Sequence, residues 1–184
     1  MLLLGSGAIA FTSCNKIKDQ ILKNFDPFTK TFDVSFVVNP ISGTDYNSGI
    51  QTQDININQI IKDNAGGLDV DIDNISEIKA KKVKLKIQDG DDANNWTNLQ
   101  DIGFVFNTDK SISNSKPTLI WGFNVDDLAS LKYSDIIIIP NDINLKDYFN
   151  GDATKVNYVL QATARRPTTK PLNIIATIEY DFKP

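Results

Sequence analysis

An all-β domain is what this sequence predicts: a single antiparallel β-sandwich of jelly-roll or Ig-like type with about eight strands. Three observations carry the expectation. Short runs alternate apolar and polar residues along most of the chain. Clusters of Gly, Pro, Asn and Asp separate those runs at turn-like intervals. No stretch sustains the pattern of a long helix, and only short helical turns are expected between strands.

The chain opens on an apolar run, Leu2 to Phe11, followed by the small pair Thr12-Ser13 and the single cysteine, Cys14. A secretory signal needs a short apolar core, too short to span a bilayer, ending in small residues that fit a peptidase. The stretch resembles the signal and lipobox of a bacterial lipoprotein. The resemblance implies that Cys14 receives a diacylglycerol, that cleavage falls just before it, and that its freed amine is acylated too. One acyl chain binds a membrane only marginally, whereas two or three make a stable anchor.

Two details depart from that pattern. Phe11 stands where leucine is usual, as the looser lipoboxes of Bacteroidota lipoproteins accept. No Lys or Arg precedes the apolar core, which predicts a true start upstream of Met1. The plain alternative, a buried strand or helix followed by an ordinary buried thiol, does not explain the small residues placed before the lone cysteine. The expected organisation is therefore a signal over 1–13, the lipidated cysteine and tether over 14–30, and the sandwich over 31–184.

Within the tether, Ile17, Ile21 and Phe25 recur at four-residue spacing and would share one face of a short helix, ended by Pro27. That face packs either on its own domain or on lipid or a partner. Thr31 to Val38 alternates as a half-buried strand. Turns are expected at Asn39-Pro40-Ile41-Ser42-Gly43 and at Asn47-Ser48-Gly49, with weak alternation over Gln51 to Ile57. Asn58 to Asn64 predicts a helical turn stopped by Gly66-Gly67.

Lys79 to Gln88 is the clearest strand, with Val83, Leu85 and Ile87 on one side and Lys82, Lys84 and Lys86 on the other. Such a lysine row suits an exposed face or a protected edge. Asp89 to Trp96 reads as a polar hairpin loop. Ile102 to Asn107, Thr118 to Asn124 and Ile136 to Ile139 predict three more strands. The last is apolar at every position before Pro140, so a central strand buried on both faces is expected. Asn144 to Asn150 predicts another helical turn. Lys155 to Ala164 and Leu172 to Phe182 alternate as the final strands, joined by the Arg165 to Pro171 loop. Asp54-Ile55-Asn56-Ile57 and Asp142-Ile143-Asn144-Leu145 each precede a helical turn, a Gly-containing break and an alternating strand. The match is too short to establish duplication.

Composition excludes several chemistries. The chain has no histidine, and the lipoprotein resemblance implies that its one cysteine is committed to lipid. Ser-His-Asp triads, His-liganded zinc and disulfides are thereby removed. A formal charge of −4 argues against a nucleic-acid surface. No nucleophile–base pair or phosphate-binding loop is present, so no enzyme and no catalytic residue is expected. Paired carboxylates of a glycosidase would need a cleft that scattered surface Asp residues do not suggest. Asp dominates Glu, and Ile, Asn and Lys abound with it, as in an AT-rich genome.

Four groups of residues are candidate sites. Asp69, Asp71 and Asp73 fit the first oxygen-ligand positions of a calcium loop, but Asn74 and Ala80 break the pattern, and a strand with Val70 and Ile72 turned inward explains the spacing equally. Asp89, Asp91, Asp92 and Asn94 form a second oxygen-rich loop, suited to Ca²⁺ or simply to water. Beside them Trp96 is either a platform for a sugar ring or, the favoured reading, a cap with Leu99 on the end of the core. Trp121, alternating with Leu119 and Phe123, is expected in the core. Arg165 and Arg166, the only arginines, are candidate partner contacts or solvated loop charges. No metal ligand set is assigned, and no cofactor beyond the acyl anchor on Cys14.

Ser13-Cys14-Asn15, the Phe32-Asp33-Val34-Ser35-Phe36 strand, Lys81-Lys82-Val83-Lys84-Leu85-Lys86-Ile87 and Ile143-Asn144-Leu145-Lys146-Asp147-Tyr148-Phe149 together resemble small uncharacterised β-sandwich lipoproteins of the Bacteroidota. The resemblance implies address and fold, not activity. The expected function is an outer-membrane-anchored, non-enzymatic binding or accessory subunit of a cell-envelope complex, with a protein partner in the envelope. The alternative is a carbohydrate-binding or calcium-dependent adhesion module. Lys16 and Lys18 precede the first acid after the cysteine, Asp19, which favours the periplasmic face over the cell surface.

Overall fold

The computed structural model describes residues 25–40, 45–108, 118–124, 132–149 and 154–184, with 45–50 and 118–124 described as backbone. Eight strands lie in this part of the chain: β1 (Phe28–Val38), β2 (Asp45–Asp54), β3 (Glu77–Ile87), β4 (Leu99–Thr108), β5 (Thr118–Asn124), β6 (Ile136–Ile138), β7 (Lys155–Ala164) and β8 (Leu172–Lys183). One α-helix, α1 (Ile57–Asn64), follows β2. Short 3-10 turns occupy Ile72–Asn74, Trp96–Asn98 and Lys146–Phe149.

The strands form two four-stranded antiparallel sheets, in the orders β1-β8-β3-β6 and β2-β7-β4-β5. Each strand pairs with its mirror in the sequence: β1 with β8, β2 with β7, β3 with β6, β4 with β5. The arrangement is that of one long hairpin wrapped into two layers. Alternation makes this possible. Phe36, Val83, Leu85, Ile174, Ala176 and Ile178 turn inward from the first sheet, and Phe104, Phe106, Tyr158 and Leu160 from the second. Phe36 meets Phe104 edge-on across the layers at 5.7 Å, and the hydroxyls of Tyr158 and Tyr180 meet at 3.1 Å. Burial of this apolar surface, at about 25 cal/mol per Å², is the main term holding the sheets together.

Several expectations are corrected. Asn47-Ser48-Gly49 is not a turn; β2 runs through it and absorbs it as a register shift between Asn47 and Ile50. A second shift, between Ala80 and Lys82, resets the parity of β3, so that Ile78 and Ala80 face inward before it and Val83 and Leu85 after it. Of the two readings of the lysine row, an exposed face or a protected edge, the first holds: β8 and β6 flank β3, and its lysines line the outer face.

β6 is not central. Among the described residues it pairs only with β3, at the end of its sheet. Ile136 and Ile138 reach the core, while Ile137 is 59% and Ile139 77% exposed. Pro140, which has no amide proton to donate, suits such an edge. An unbroken apolar run does not distinguish a strand buried on both faces from an edge with one bare face.

Residues 1–24, with Cys14, Ile17 and Ile21, lie outside the described residues. Phe25 is buried and packs on Phe28, which stacks on Phe182 with centroids 4.6 Å apart. Phe25 and Phe28 are thus part of the packed core.

Candidate functional site

The ends of β1, β3, β5 and β7 and the starts of β2, β4, β6 and β8 all lie at one end of the sandwich. The chain enters β1 and leaves β8 at the other. β1 alone has 11 residues, roughly 36 Å of extended chain between those ends. Every candidate residue weighed after the calcium-like stretch, Asp89, Asp91, Asp92, Asn94, Trp96, Arg165 and Arg166, falls at the end far from the chain entry.

The segment from Asp89 to Trp96 is a crossover between sheets rather than a solvated hairpin, since β3 and β4 belong to different layers. It is built on buried asparagines. Asn95 caps the Trp96–Asn98 turn by accepting from the Thr97 amide at 3.0 Å, and Asn98 accepts from the Asn95 amide at 2.9 Å, a capping box. Asn95 Nδ2 donates to the Asp91 carbonyl at 2.8 Å. Asn94 Nδ2 donates to Asp91 Oδ1 at 2.9 Å and to Thr169 Oγ1 at 3.0 Å, and its Oδ1 accepts from the Thr169 amide at 2.7 Å. Asn98 Nδ2 donates to the carbonyls of Ala93 and Pro167. These amides bind the crossover to the β7–β8 connection. At Gly90, where the loop closes, a Cβ would stand tightly, 3.3 Å from the Asn94 carbonyl oxygen and from Ile87 Cγ2.

The carboxylates are already partnered. Asp91 accepts from the Ala93 and Asn94 amides and pairs with Lys170 at 2.9 Å. Lys170 first, and the Asn94 side chain next, hold its carboxyl down at about 2, against an ordinary 3.8. Asp92 pairs with Lys132 at 2.5 Å and accepts from the Tyr133 hydroxyl, and both interactions lower its pKa. Asp89 accepts from Asn173 Nδ2 at 2.8 Å. A calcium ion here would have to displace Lys170 and Lys132.

Trp96 is 1% exposed and its indole N–H donates to the Ser134 carbonyl at 3.0 Å. A ring so enclosed offers no face to a sugar and is not a stacking platform; with Leu99 it closes the end of the core. The side chain of Trp121 lies outside the described residues. Arg165 and Arg166 are exposed, and their amides donate to the Asn98 carbonyl; the Arg166 guanidinium also reaches Thr97 Oγ1.

Asp69, Asp71 and Asp73 are neither a strand nor a ligand set gathered on one centre. Asp71 caps the Ile72–Asn74 turn by accepting from the Asp73 amide at 3.0 Å, while Asn74 accepts from the Asp71 amide. Among the described residues no group of three or more His, Cys, Asp or Glu side chains gathers as a metal site.

Asn95, Asn98, Thr169, Lys170, Lys132 and Tyr133 were not singled out from the sequence. The asparagines did carry a signal: an Asp or Asn followed three residues later by Asn, as in Asp71 to Asn74 and Asn95 to Asn98, is a capping box in short form. Lys132 and Lys170 lie 40 and 79 positions from the acids they meet, and no local pattern predicts such pairs.

No family model matches the chain, and no curated protein matches it. Among solved structures it is similar to the cryo-EM structure of the virus-like particle of the extra small virus of the giant freshwater prawn Macrobrachium rosenbergii. Identity is 11% over 86% of this chain and 80% of that one, with a TM-score of 0.21. A likeness at that level carries no argument about function.

Proposed function

We propose that this chain is an outer-membrane-anchored lipoprotein, held by acyl chains on Cys14, whose sandwich acts as a non-enzymatic binding or accessory subunit of a cell-envelope protein complex. The mirrored strand order supports the jelly-roll form of the sandwich. The observation that carries the reading is the placement of opposite ends. The chain enters β1 at Phe28, beside the C-terminal strand end at Phe182, while the connections braced by Asn94, Asn95 and Asn98 crowd the far end. An anchor on Cys14 would hold the first end near the membrane and present the second, with Arg165 and Arg166 exposed on it, roughly 35 Å further out. Bracing limits how far these loops must reorganise on binding, and so the entropy lost.

The test is purification of the full-length lipidated protein from its native membrane in mild detergent. A stoichiometric envelope protein is expected with it, and Cys14→Ser should move the chain out of the membrane fraction. Recovery of the chain alone under every mild condition would overturn the accessory-subunit reading.

A further inference from the structure

We infer that the outer face of the second sheet is a docking face for a second copy of this chain, related by a two-fold axis running along the strands between β7 and β4. The inference goes beyond the accessory-subunit reading and takes from it only the anchor on Cys14. The two outer faces of the sandwich differ in charge. That of the first sheet is laced with ion pairs, Lys81 with Glu179 and Asp181, and Lys84 with Asp135. On the inner strands of the second sheet the outward residues from Asn157 to Thr163 and from Gly103 to Asn107 carry no charge. Loss of charge at the centre of a patch is what marks a protein interface.

Register shows why the face fits itself. It sets Asn157 beside Asn107, Val159 beside Val105, Gln161 beside Gly103, and Thr163 beside Asp101. β7 and β4 are the two central strands, so an axis between them lays β7 of one copy over β4 of the other. Val159 then meets the second copy's Val105. Gln161, exposed and with no hydrogen-bond partner among the described residues, lies over the second copy's Gly103. That position has no side chain, and neither has its neighbour in register, Gly122. Thr163 meets the second copy's Asp101, a hydroxyl against a carboxylate. Each contact occurs twice by symmetry. The same axis keeps both chain entries at one end, so two anchored copies share a membrane, whereas an axis across the strands would turn one anchor away. Four strand spacings by the seven residues from Asn157 to Thr163 bury roughly 900 Å² in total. Stable interfaces bury about 1,200 Å² or more, so this pairing is weak in solution and relies on the high effective concentration of a shared leaflet.

The experiment uses the full lipidated chain in vesicles and a short bismaleimide, since stacked sheets stand about 10 Å apart, beyond disulfide reach. Val159→Cys should cross-link into a dimer, and Lys86→Cys, on the outer face of the other sheet, should not. Adding Val105→Lys to Val159→Cys should cut the yield about tenfold or more, with an unchanged melting temperature as the check on fold. Differently tagged Asn157→Cys and Thr163→Cys chains should each link to their own kind and not to one another. No link at Val159→Cys, an equal link at Lys86→Cys, indifference to Val105→Lys, or a link between the Asn157→Cys and Thr163→Cys chains would overturn this dimer. Intact cross-linking of a chain that never co-purifies with an envelope protein would support the dimer and overturn the accessory-subunit reading.

Discussion

Asn94 and Thr169, 75 positions apart, are joined three ways: Asn94 Nδ2 donates to Thr169 Oγ1 at 3.0 Å, and Asn94 Oδ1 accepts from the Thr169 amide at 2.7 Å and from its hydroxyl at 3.2 Å. The same Oδ1 accepts from the Lys170 amide at 3.2 Å. One buried side chain therefore satisfies backbone donors of a loop in the other half of the sequence. Asn94→Ala orphans them, which should cost about 2–3 kcal/mol. Denaturant titration should show that loss, with a fall of roughly 4–12 °C in melting temperature for a domain of this size.

The Tyr158 and Tyr180 hydroxyls share one hydrogen bond inside the core, and burial raises both pKa values well above the ordinary range. Tyr158→Phe or Tyr180→Phe leaves the other hydroxyl buried without that partner and should cost about 1–2 kcal/mol. Replacing both removes donor and acceptor together, so the double variant should lose less than the sum of the singles. A double-mutant cycle reads the difference, and strict additivity would contradict the pairing.

Trp96→Phe deletes the indole donor to Ser134 and leaves a void at the end of the core, at a cost of about 2–4 kcal/mol. Trp96 should also fluoresce as an enclosed indole and ignore added oligosaccharides. A glycan-dependent shift that vanishes in Trp96→Phe would contradict its position.

Asp91 has its pKa lowered to about 2, chiefly by Lys170 and then by Asn94. Between that value and the ordinary 3.8, the unfolded chain binds more protons at this site than the folded one, so the contribution to stability rises with pH. It is complete above about pH 4 and is lost as pH falls towards about 2. Denaturation midpoints at about pH 5 and about pH 2.5 should differ less in Asp91→Asn than in the parent chain.

Much of the architecture was legible because alternation is local. Val156, Tyr158, Leu160 and Ala162, like Ile174, Ala176, Ile178 and Tyr180, turn inward as their spacing predicts. Where the local pattern is degenerate, legibility stopped. Ile136 to Ile139 could be central or peripheral, and only its neighbours decide. Asp69-Val70-Asp71-Ile72-Asp73 could be a strand or a ligand loop, yet a capping bond at Asp71 bends it into a 3-10 turn. The candidate site was half visible: the right loops stood out, but as ligand surfaces rather than as a braced end.

By itself the sequence determined the all-β class, the inward faces of most strands and the apolar run ending at Cys14, because each is written within a few consecutive residues. Tertiary structure alone decided which strands share a sheet, that β6 is an edge, and that Trp96 is enclosed. It also brought Asp91 to Lys170 and Asn94 to Thr169. Those outcomes depend on pairings between residues dozens of positions apart, whose energies exist only once the two layers have closed over one core.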